Sequence, residues 1–322
     1  MQVLVTGGAG FIGSNLVRSL VASGDRVRVL DDLSTGSEEN LRDCDGLVDL
    51  VVGDVREPNV VTRVIDGAEV VYHLAALPSV SRSVARPLDV NRVNVEGTLN
   101  VLIGARDAGV RRVVYASSSS VYGDTPTLPK HEDMPVMPLS PYASSKLAGE
   151  SYCRSFSSVY GLETVSLRFF NVFGPWQDPD SEYAAVIPRF VTRMIGGHSP
   201  EVFGDGLQSR DFTFVSNAIQ ACVLAGEAGP EAVGETMNVA CGDRITLLEL
   251  VDAINEALGT RIHPTQGLPR PGDVRHSLAS IAKAERLIGY RPLLTVREGL
   301  LQTVRWFAER FPQAQVARSA GG

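Results

Sequence analysis

The feature that most constrains the fold is a glycine-rich turn between a short apolar strand pattern and an amphipathic helix pattern. The strand pattern covers Val3–Thr6, the turn runs on to Gly13, and the helix pattern covers Phe11–Ser23. Further short apolar runs alternate with longer amphipathic stretches through the first half of the chain. Buried strands that alternate with helices are typical of parallel sheets covered on both faces. The pattern therefore predicts an α/β fold with a doubly wound parallel sheet.

The other predicted elements follow from the same two periodicities. The later strand predictions are Val27–Leu30, Leu50–Gly53, Val70–Leu74, Val113–Ser117 and Thr164–Leu167. The later helix predictions are Asn94–Ala108, Pro141–Tyr160, Leu247–Leu258 and Val296–Arg310.

Composition narrows the class of protein. Hydrophobic residues make up 44% and charged residues 21% of the 322 residues, which is the balance of a globular chain. The net charge of −7 argues against nucleic acid or an anionic membrane as the main partner. No uncharged apolar run approaches the ~18 residues of a membrane span, and the first strand pattern begins at Gln2. The four cysteines lie far apart without metal-ligand spacing, so we expect reduced thiols, no metal site and a cytoplasmic location.

The glycine turn has the spacing of a dinucleotide-binding loop. It reads as GxxGxxG through Gly7, Gly10 and Gly13, or as GxGxxG when Gly8 replaces Gly7. Small residues there let backbone N–H groups approach a pyrophosphate at the helix N-terminus. Asp31 ends the next strand ~20 residues on, where a carboxylate accepts ribose hydroxyls and repels a 2′-phosphate. The sequence therefore favours NAD over NADP, and an ordinary strand-to-helix turn with a surface aspartate is the alternative.

The residue composition changes after Phe169, where glycine and proline become frequent, and this change indicates a domain boundary. We predict a Rossmann domain over residues 1–170 that binds NAD, and a smaller, loop-rich substrate domain over 171–322. Residues 212–238 are expected to return to the first domain, and 312–322 to form a loose tail.

A tyrosine and a lysine stand four residues apart at the start of a predicted helix. Ser140 and Pro141 are a typical helix start, so Tyr142 and Lys146 share one helical face. A free phenol has a pKa of ~10, and a neighbouring cation together with the positive nicotinamide favours the phenolate. We therefore expect a proton-transfer pair, and a surface Tyr–Lys contact is the alternative. The serine run 117–120 ends the fifth strand, where one hydroxyl can relay that proton or simply form a turn.

In combination these residues resemble the extended short-chain dehydrogenase/reductases, and within them the UDP-sugar 4-epimerases. The resemblance covers nearly the whole chain. Its motifs are the segments 6–13, 73–76 (HLAA), 94–98 (NVEGT), Ser118 four residues before Tyr122, Tyr142 with Lys146, 168–175 (RFFNVFGP) and 270–273 (RPGD).

The resemblance implies roles for individual residues. The catalytic set would be Ser118, Tyr142 and Lys146. Asp54 is a further candidate for the adenine edge, and a solvated turn residue is an equally good interpretation. The implied cofactor-binding residues are Gly7, Gly10, Phe11, Ile12, Gly13, Asp31, Asp54, Val55, Leu74, Ala75, Ala76, Asn94, Tyr142 and Lys146; Asn94 would also hold the active-site backbone. The implied substrate-binding residues are Ser79, Ser118, Tyr142, Asn171, Arg210, Arg270, Asp273 and Ser277.

The reaction expected within this family depends on proton donors beside the catalytic serine. Dehydratase relatives carry Asp-Glu where this chain has Ser119 and Ser120, and decarboxylating relatives also keep a glutamate there. Without that acid, the resemblance favours inversion at C4 of a UDP-hexose, with Tyr142 taking the O4 proton and NAD the C4 hydride. The alternatives are a reductase or dehydratase of the same fold, and an NAD-binding regulator without catalysis.

Three finer expectations complete the sequence reading. Ser277 stands where glucose/galactose-restricted relatives carry tyrosine, so the pocket should also admit a UDP-N-acetylhexosamine or a UDP-uronate. Arg82 could face a uronate carboxylate, although a structural arginine is the simpler interpretation, and His73 is expected in the core. Relatives often dimerise through helices equivalent to Asn94–Ala108 and Pro141–Tyr160, so we expect a homodimer.

Overall fold

A seven-stranded, all-parallel sheet forms the centre of the protein. The computed structural model describes residues 1–179, 185–268 and 275–311; the predicted tail, 312–322, lies outside them. The strands of this sheet are β1 (Gln2–Thr6), β2 (Arg26–Asp31), β3 (Val48–Val52), β4 (Val70–His73), β5 (Arg112–Ser118), β6 (Glu163–Phe169) and β11 (Thr236–Val239).

The spatial order of the strands is β11-β6-β5-β4-β1-β2-β3. From β1 the chain proceeds outward first through β2 and β3 and then, on the other side, through β4, β5 and β6. The direction of winding therefore reverses between β1 and β4, and a crevice opens there at the carboxyl ends of the strands. This Rossmann-like arrangement confirms the predicted fold class.

Helices cover both faces of the sheet. Because successive side chains of a strand point to opposite faces, Val3 and Val5 enter one apolar cluster while Leu4 enters the other. The helices are α1 (Phe11–Ala22), α2 (Pro58–Ile65), α3 (Val80–Ala85), α4 (Pro87–Asn91), α5 (Gly97–Asp107), α6 (Pro141–Tyr160), α7 (Val186–Ile195), α8 (Val215–Glu227), α9 (Leu247–Leu258), α10 (Ala282–Ile288) and α11 (Val296–Arg310).

Short strands organise much of the chain after β6. They pair two by two, with β7 (Val172–Phe173) beside β10 (Thr213–Phe214), β9 (Ser209–Arg210) beside β12 (Ile245–Thr246), and β8 (Glu201–Phe203) beside β13 (Thr265–Gly267). β11 leaves this part of the chain and adds a strand to the main sheet beside β6.

One predicted helix differs in its first turn. The expected helix Asn94–Ala108 is interrupted, since Arg92–Glu96 form a π turn and the α-helix begins at Gly97. The π turn coincides with two hydrogen bonds that Asn94 makes outside the helix. Its side-chain oxygen accepts the N–H of Leu77, and its side-chain nitrogen donates to the carbonyl oxygen of Leu77. The helices predicted at 141–160, 247–258 and 296–310 have the predicted bounds.

Candidate active site

A cavity of about 800 Å³ opens at the carboxyl ends of the central strands. Its wall includes Gly7 after β1, Asp31 at the end of β2, Leu74 after β4 and Ser118 at the end of β5. The second half of the chain contributes Arg210, His276, Ser277 and the segment that follows β6. The fold therefore brings two sets of predicted residues, from opposite halves of the chain, to one space.

The glycine turn forms one end of this cavity because side chains do not fit there. Gly7 has φ +72°, and a Cβ on it would lie 2.7 Å from the backbone nitrogen of Ala75. A Cβ on Gly13 would lie 2.0 Å from the carbonyl oxygen of Gly7. The first turn of α1 carries no acidic residue, and its cap residue, Gly10, has no side chain to bond its N–H groups. These features leave the positive end of the helix open to an anion.

Two carboxylates border the same end of the cavity. Asp31 is buried and accepts the N–H groups of Ala9 and Leu33, both at 2.9 Å. Burial raises the pKa of Asp31, and these N–H bonds oppose the rise. Asp54 is paired with the guanidinium of Arg56, whose hydrogen bond lowers the pKa of that carboxyl. Asp54 therefore lines the cavity with its carboxylate paired to Arg56.

Asn94 is the predicted cofactor residue that does not line the cavity. Its side chain is 1% exposed, accepts the N–H of Leu77 at 2.8 Å and donates to Ser145 at 3.0 Å. It thus ties the backbone after β4 to helix α6. The predicted residues that do line the cavity are Gly7, Gly10, Phe11, Ile12, Gly13, Asp31, Asp54, Val55, Leu74, Ala75, Ala76, Tyr142 and Lys146.

The proton-transfer residues meet where β5 ends and α6 begins. Ser140 caps α6 by accepting the N–H of Ala143 at 3.1 Å, and this start places Tyr142 and Lys146 on the cavity wall. Lys146 is 4% exposed, and its Nζ donates to the carbonyl oxygen of Ala116 at 2.7 Å. The Ser118 and Tyr142 side chains both line the cavity there.

Burial sets the acidity of this pair in the protein alone. It lowers the pKa of Lys146 to about 8, and it raises the pKa of Tyr142, with the Ser118 hydrogen bond opposing that rise. The sequence expectation joins the lysine to a positive nicotinamide; in the chain alone, desolvation of the phenolate is the largest influence on the pKa of Tyr142.

Sequence reasoning missed a buried ion pair behind this site. Arg168 on β6 donates to Glu150 through Nε at 2.9 Å and Nη2 at 2.7 Å, and both side chains are 6% exposed. The Ser117 hydroxyl donates to the same carboxylate at 2.5 Å. The spacing of Glu150, four residues after Lys146, predicts its helical face but not its partner Arg168.

The opposite wall collects predicted substrate residues from distant segments. Asn171, with φ +39°, donates through Nδ2 to the carbonyl oxygen of Asp211 at 2.9 Å and to the Ser277 hydroxyl at 3.3 Å. Arg210 lines the cavity and donates to the carbonyl oxygens of Ser209 and Arg275. Ser79 lines the cavity at the cap of α3. Arg270 and Asp273 lie outside the described residues.

Two further residues named from the sequence are located. His73 is 1% exposed and bonds Thr6 and Thr98 through its two ring nitrogens, so the prediction of a core histidine is confirmed. Burial lowers its pKa to about 3, which keeps the ring neutral. Arg82 lines the cavity near Ser79.

Fold and site together define a Rossmann-fold enzyme of the short-chain dehydrogenase/reductase class, which works with a dinucleotide. Residues 3–240 match the model of the NAD dependent epimerase/dehydratase family, and the chain belongs to that family. Its cofactor is NAD. A UDP-glucose 4-epimerase from Mycolicibacterium smegmatis is 41% identical over 96% of this chain and 99% of its own length.

Solved structures agree with this assignment. The UDP-glucose 4-epimerase of Thermotoga maritima, solved with UDP-glucose, superposes with a TM-score of 0.92 at 35% identity, covering 97% of this chain and all of the other (100%). A UDP-N-acetylglucosamine 4-epimerase from Methanobrevibacter ruminantium, in complex with UDP-N-acetylmuramic acid, superposes with a TM-score of 0.91 at 39% identity. That match covers 96% of this chain and 98% of the other.

Proposed function

We propose that this chain is a UDP-sugar 4-epimerase, an isomerase that inverts C4 of a UDP-hexose with NAD. The observation that carries the proposal is the meeting of Ser118, Tyr142 and the buried Lys146 at the cavity wall, beside Ser119 and Ser120. These two positions carry hydroxyls, so no carboxylic acid stands there to expel a leaving group. The similarity to UDP-sugar 4-epimerases over nearly the whole chain supports the same reaction.

The residues at the glycine turn fit NAD. Close backbone packing at Gly7 and Gly13 and an uncapped α1 suit a pyrophosphate, and Asp31 suits ribose hydroxyls that carry no 2′-phosphate. NAD held by these residues would supply reversible hydride transfer at C4 of the sugar. We therefore assign residues 1–170 mainly to cofactor binding and residues 171–322 mainly to the substrate, with 212–238 contributing to the first part.

Tyr142 is the general base and acid of the proposed reaction. Its phenolate takes the proton of the sugar O4, Ser118 relays that proton through its hydroxyl, and the same groups return it after the 4-keto sugar has turned over. Burial raises the pKa of Tyr142 in the chain alone. The positive charge of the oxidised cofactor, added to that of Lys146, favours the phenolate when the base is needed.

The cavity wall around residues 171, 210 and 277, called the substrate wall below, is proposed to hold the nucleotide diphosphate and the sugar. The Arg210 guanidinium suits phosphate oxygens, and Asn171 and Ser79 offer amide and hydroxyl groups. Arg270 and Asp273, which the resemblance places on the diphosphate and the uridine ribose, remain part of this proposal. Ser277 presents only a hydroxyl at the cavity, so the pocket has room for a 2-acetamido or C6-altered hexose.

A panel of purified substrates tests the proposed function. UDP-galactose, UDP-N-acetylgalactosamine and UDP-galacturonate are each incubated with the protein and no added cofactor, and the products are separated by chromatography. We expect the 4-epimers of the first two and a cofactor that leaves the protein only on denaturation. NADPH consumption coupled to a new product would indicate a reductase, and bound NAD without turnover would indicate a regulator.

Ser277→Tyr tests the pocket argument within that panel. A phenol in place of the hydroxyl fills the space assigned to the larger substituent, so turnover of UDP-N-acetylgalactosamine should fall at least tenfold more than turnover of UDP-galactose. Equal losses of both activities would refute the pocket argument.

We also propose a homodimer that packs through α5 and α6. Apolar or aromatic side chains are exposed on these helices, including Ile103 at 37%, Val159 at 70% and Tyr160 at 52%. Val159→Glu should convert a dimer into a monomer in sedimentation analysis; an unchanged mass would refute this interface.

A cytoplasmic location is proposed as well. It is supported by four free cysteines, of which Cys44, Cys153 and Cys222 are buried. None of the described helices has the length and apolar character needed to span a membrane.

A further inference from the structure

Asp211 is a buried carboxylate that neither the predicted site nor the proposed mechanism uses. It is 0% exposed and follows Arg210 at the end of β9. Its Oδ1 accepts the N–H of Cys241 at 3.0 Å, and its Oδ2 accepts the N–H groups of Gly242 at 3.2 Å and Ala279 at 3.1 Å. One side chain therefore ties two segments, around 241 and around 279, to the end of β9.

The backbone of the same residue completes the connection to the cavity. The N–H of Asp211 donates to the Ser277 hydroxyl at 3.3 Å, and its carbonyl oxygen accepts the Asn171 amide at 2.9 Å. The Asn171 amide also donates to Ser277 at 3.3 Å. Arg210, Asn171 and Ser277 line the cavity, whereas Asp211 itself does not.

A carboxyl group satisfies this arrangement, because each of its two oxygens can accept hydrogen bonds. Three backbone N–H groups converge on two oxygens, so both oxygens must act as acceptors. An asparagine would turn a donor toward one of these N–H groups, and an alanine would leave all three without this acceptor. Buried donors that lose their acceptor cost free energy, and the segments that carry them move to find another partner.

We propose that Asp211 is a positioning residue for substrate binding. It holds the ends of the 171, 210 and 275–279 segments in one register, so that Arg210, Asn171 and Ser277 face the nucleotide diphosphate and sugar together. The inference rests on the proposed assignment of that wall to a UDP-sugar. It adds a residue that acts only through others and contacts neither substrate nor cofactor.

UDP alone, without turnover, is the probe that tests this inference. Asp211→Ala and Asp211→Asn are compared with wild type in calorimetric UDP binding, in NAD content and in the kcat and KM for UDP-galactose. We expect the UDP Kd and the KM to rise at least tenfold for the alanine variant and about threefold for the asparagine variant. The kcat should stay within threefold of wild type and the NAD content should not change.

Asn255→Ala is the matched control for a purely structural role. Asn255 also fixes a loop, accepting the N–H of Ile262 at 2.8 Å and donating to its carbonyl oxygen at 2.9 Å, but it does not line the cavity. Its loss should lower the melting temperature and leave the UDP Kd within twofold of wild type.

The outcomes separate this inference from the proposed function. Folded Asp211 variants whose UDP Kd stays within twofold of wild type would overturn it, as would equal weakening in the Asn255→Ala control. If Asp211→Ala does not fold, Asp211→Asn decides by the same criterion. A wild-type protein that binds UDP but epimerises no UDP-sugar would refute the proposed function, while the comparison of UDP affinities would still stand.

Discussion

The two walls of the cavity are built in different ways. The cofactor wall (the turns after β1, β2 and β4) consists of short strand-to-helix or strand-to-loop turns, each determined by a few consecutive residues. The substrate wall (around 171, 210 and 277) joins segments as much as 106 residues apart through side-chain bonds such as Asn171 to Ser277. Backbone sterics fix the first wall, whereas tertiary hydrogen bonds assemble the second.

This difference explains what the sequence could predict. A glycine string, a preceding strand and an aspartate at the next strand end are local signals, and Gly7, Gly10, Gly13 and Asp31 line the cavity. The ion pair of Glu150 with Arg168, and the bonds around Asp211, depend on which distant backbone groups meet. A single sequence contains no local pattern that predicts which distant groups come into contact.

The acidity of the catalytic pair was also beyond the sequence. The spacing of Tyr142 and Lys146 predicts their shared helical face, and both line the cavity. How deeply the two side chains are buried depends on the tertiary structure, and this burial raises the pKa of Tyr142. The interrupted start of α5 has a similar origin, because Asn94 bonds Leu77 outside the helix.

The largest expected effect lies where the two walls meet. Tyr142→Phe removes the group that exchanges the O4 proton, so kcat should fall by about 10³, within the range of general acid–base catalysis. NAD content and UDP affinity should stay at wild-type values, as measured on the purified variant.

Tyr290→Phe is the control for that variant. Its hydroxyl donates to the carbonyl oxygen of Ala240 at 2.8 Å and is buried away from the cavity lining. Its kcat should remain within twofold of wild type. A Tyr142→Phe variant at undiminished speed would remove the tyrosine from the mechanism.

The next effect concerns the buried ion pair between α6 and β6. Glu150→Gln leaves the Arg168 guanidinium buried without its counter-charge, which should lower the free energy of unfolding by about 3–5 kcal/mol in urea titrations. Glu235→Gln breaks a partly exposed pair with Lys283 and should cost less than about 1 kcal/mol. Equal losses for the two variants would mean that the buried pair does not join α6 to β6 as described.

The cofactor wall is tested by a pair of glycine substitutions. Gly7→Ala places a Cβ 2.7 Å from the Ala75 nitrogen, so the turn must shift and the purified protein should carry less than a tenth of the wild-type NAD. Gly109→Ala has a similar backbone angle, φ +68°, with no described atom within 4 Å of the added Cβ. It should keep its NAD and lose only about 1 kcal/mol of stability. NAD loss in both variants would point to general unfolding.

The last effect is a pH dependence that belongs to the substrate wall. Burial raises the pKa of Asp211 to about 7, above its unfolded value near ~3.9. The folded state then holds a proton that the unfolded state releases, so this contribution to stability falls as pH rises from ~4 to ~7, by at most about 1.4 kcal/mol per pH unit. The free energy of unfolding of wild type should fall relative to that of Asp211→Asn as pH rises across that window. A constant difference between the two proteins would contradict the assignment.

The fate of the C4 hydrogen tests the account most directly. UDP-glucose deuterated at C4 is incubated in ordinary water with purified protein and no added cofactor, and the product is examined by NMR. Return of the hydride to the carbon that lost it predicts UDP-galactose with deuterium still on C4. Deuterium on C6 of a dehydrated sugar, or deuterium lost to water, would contradict the proposed inversion at C4.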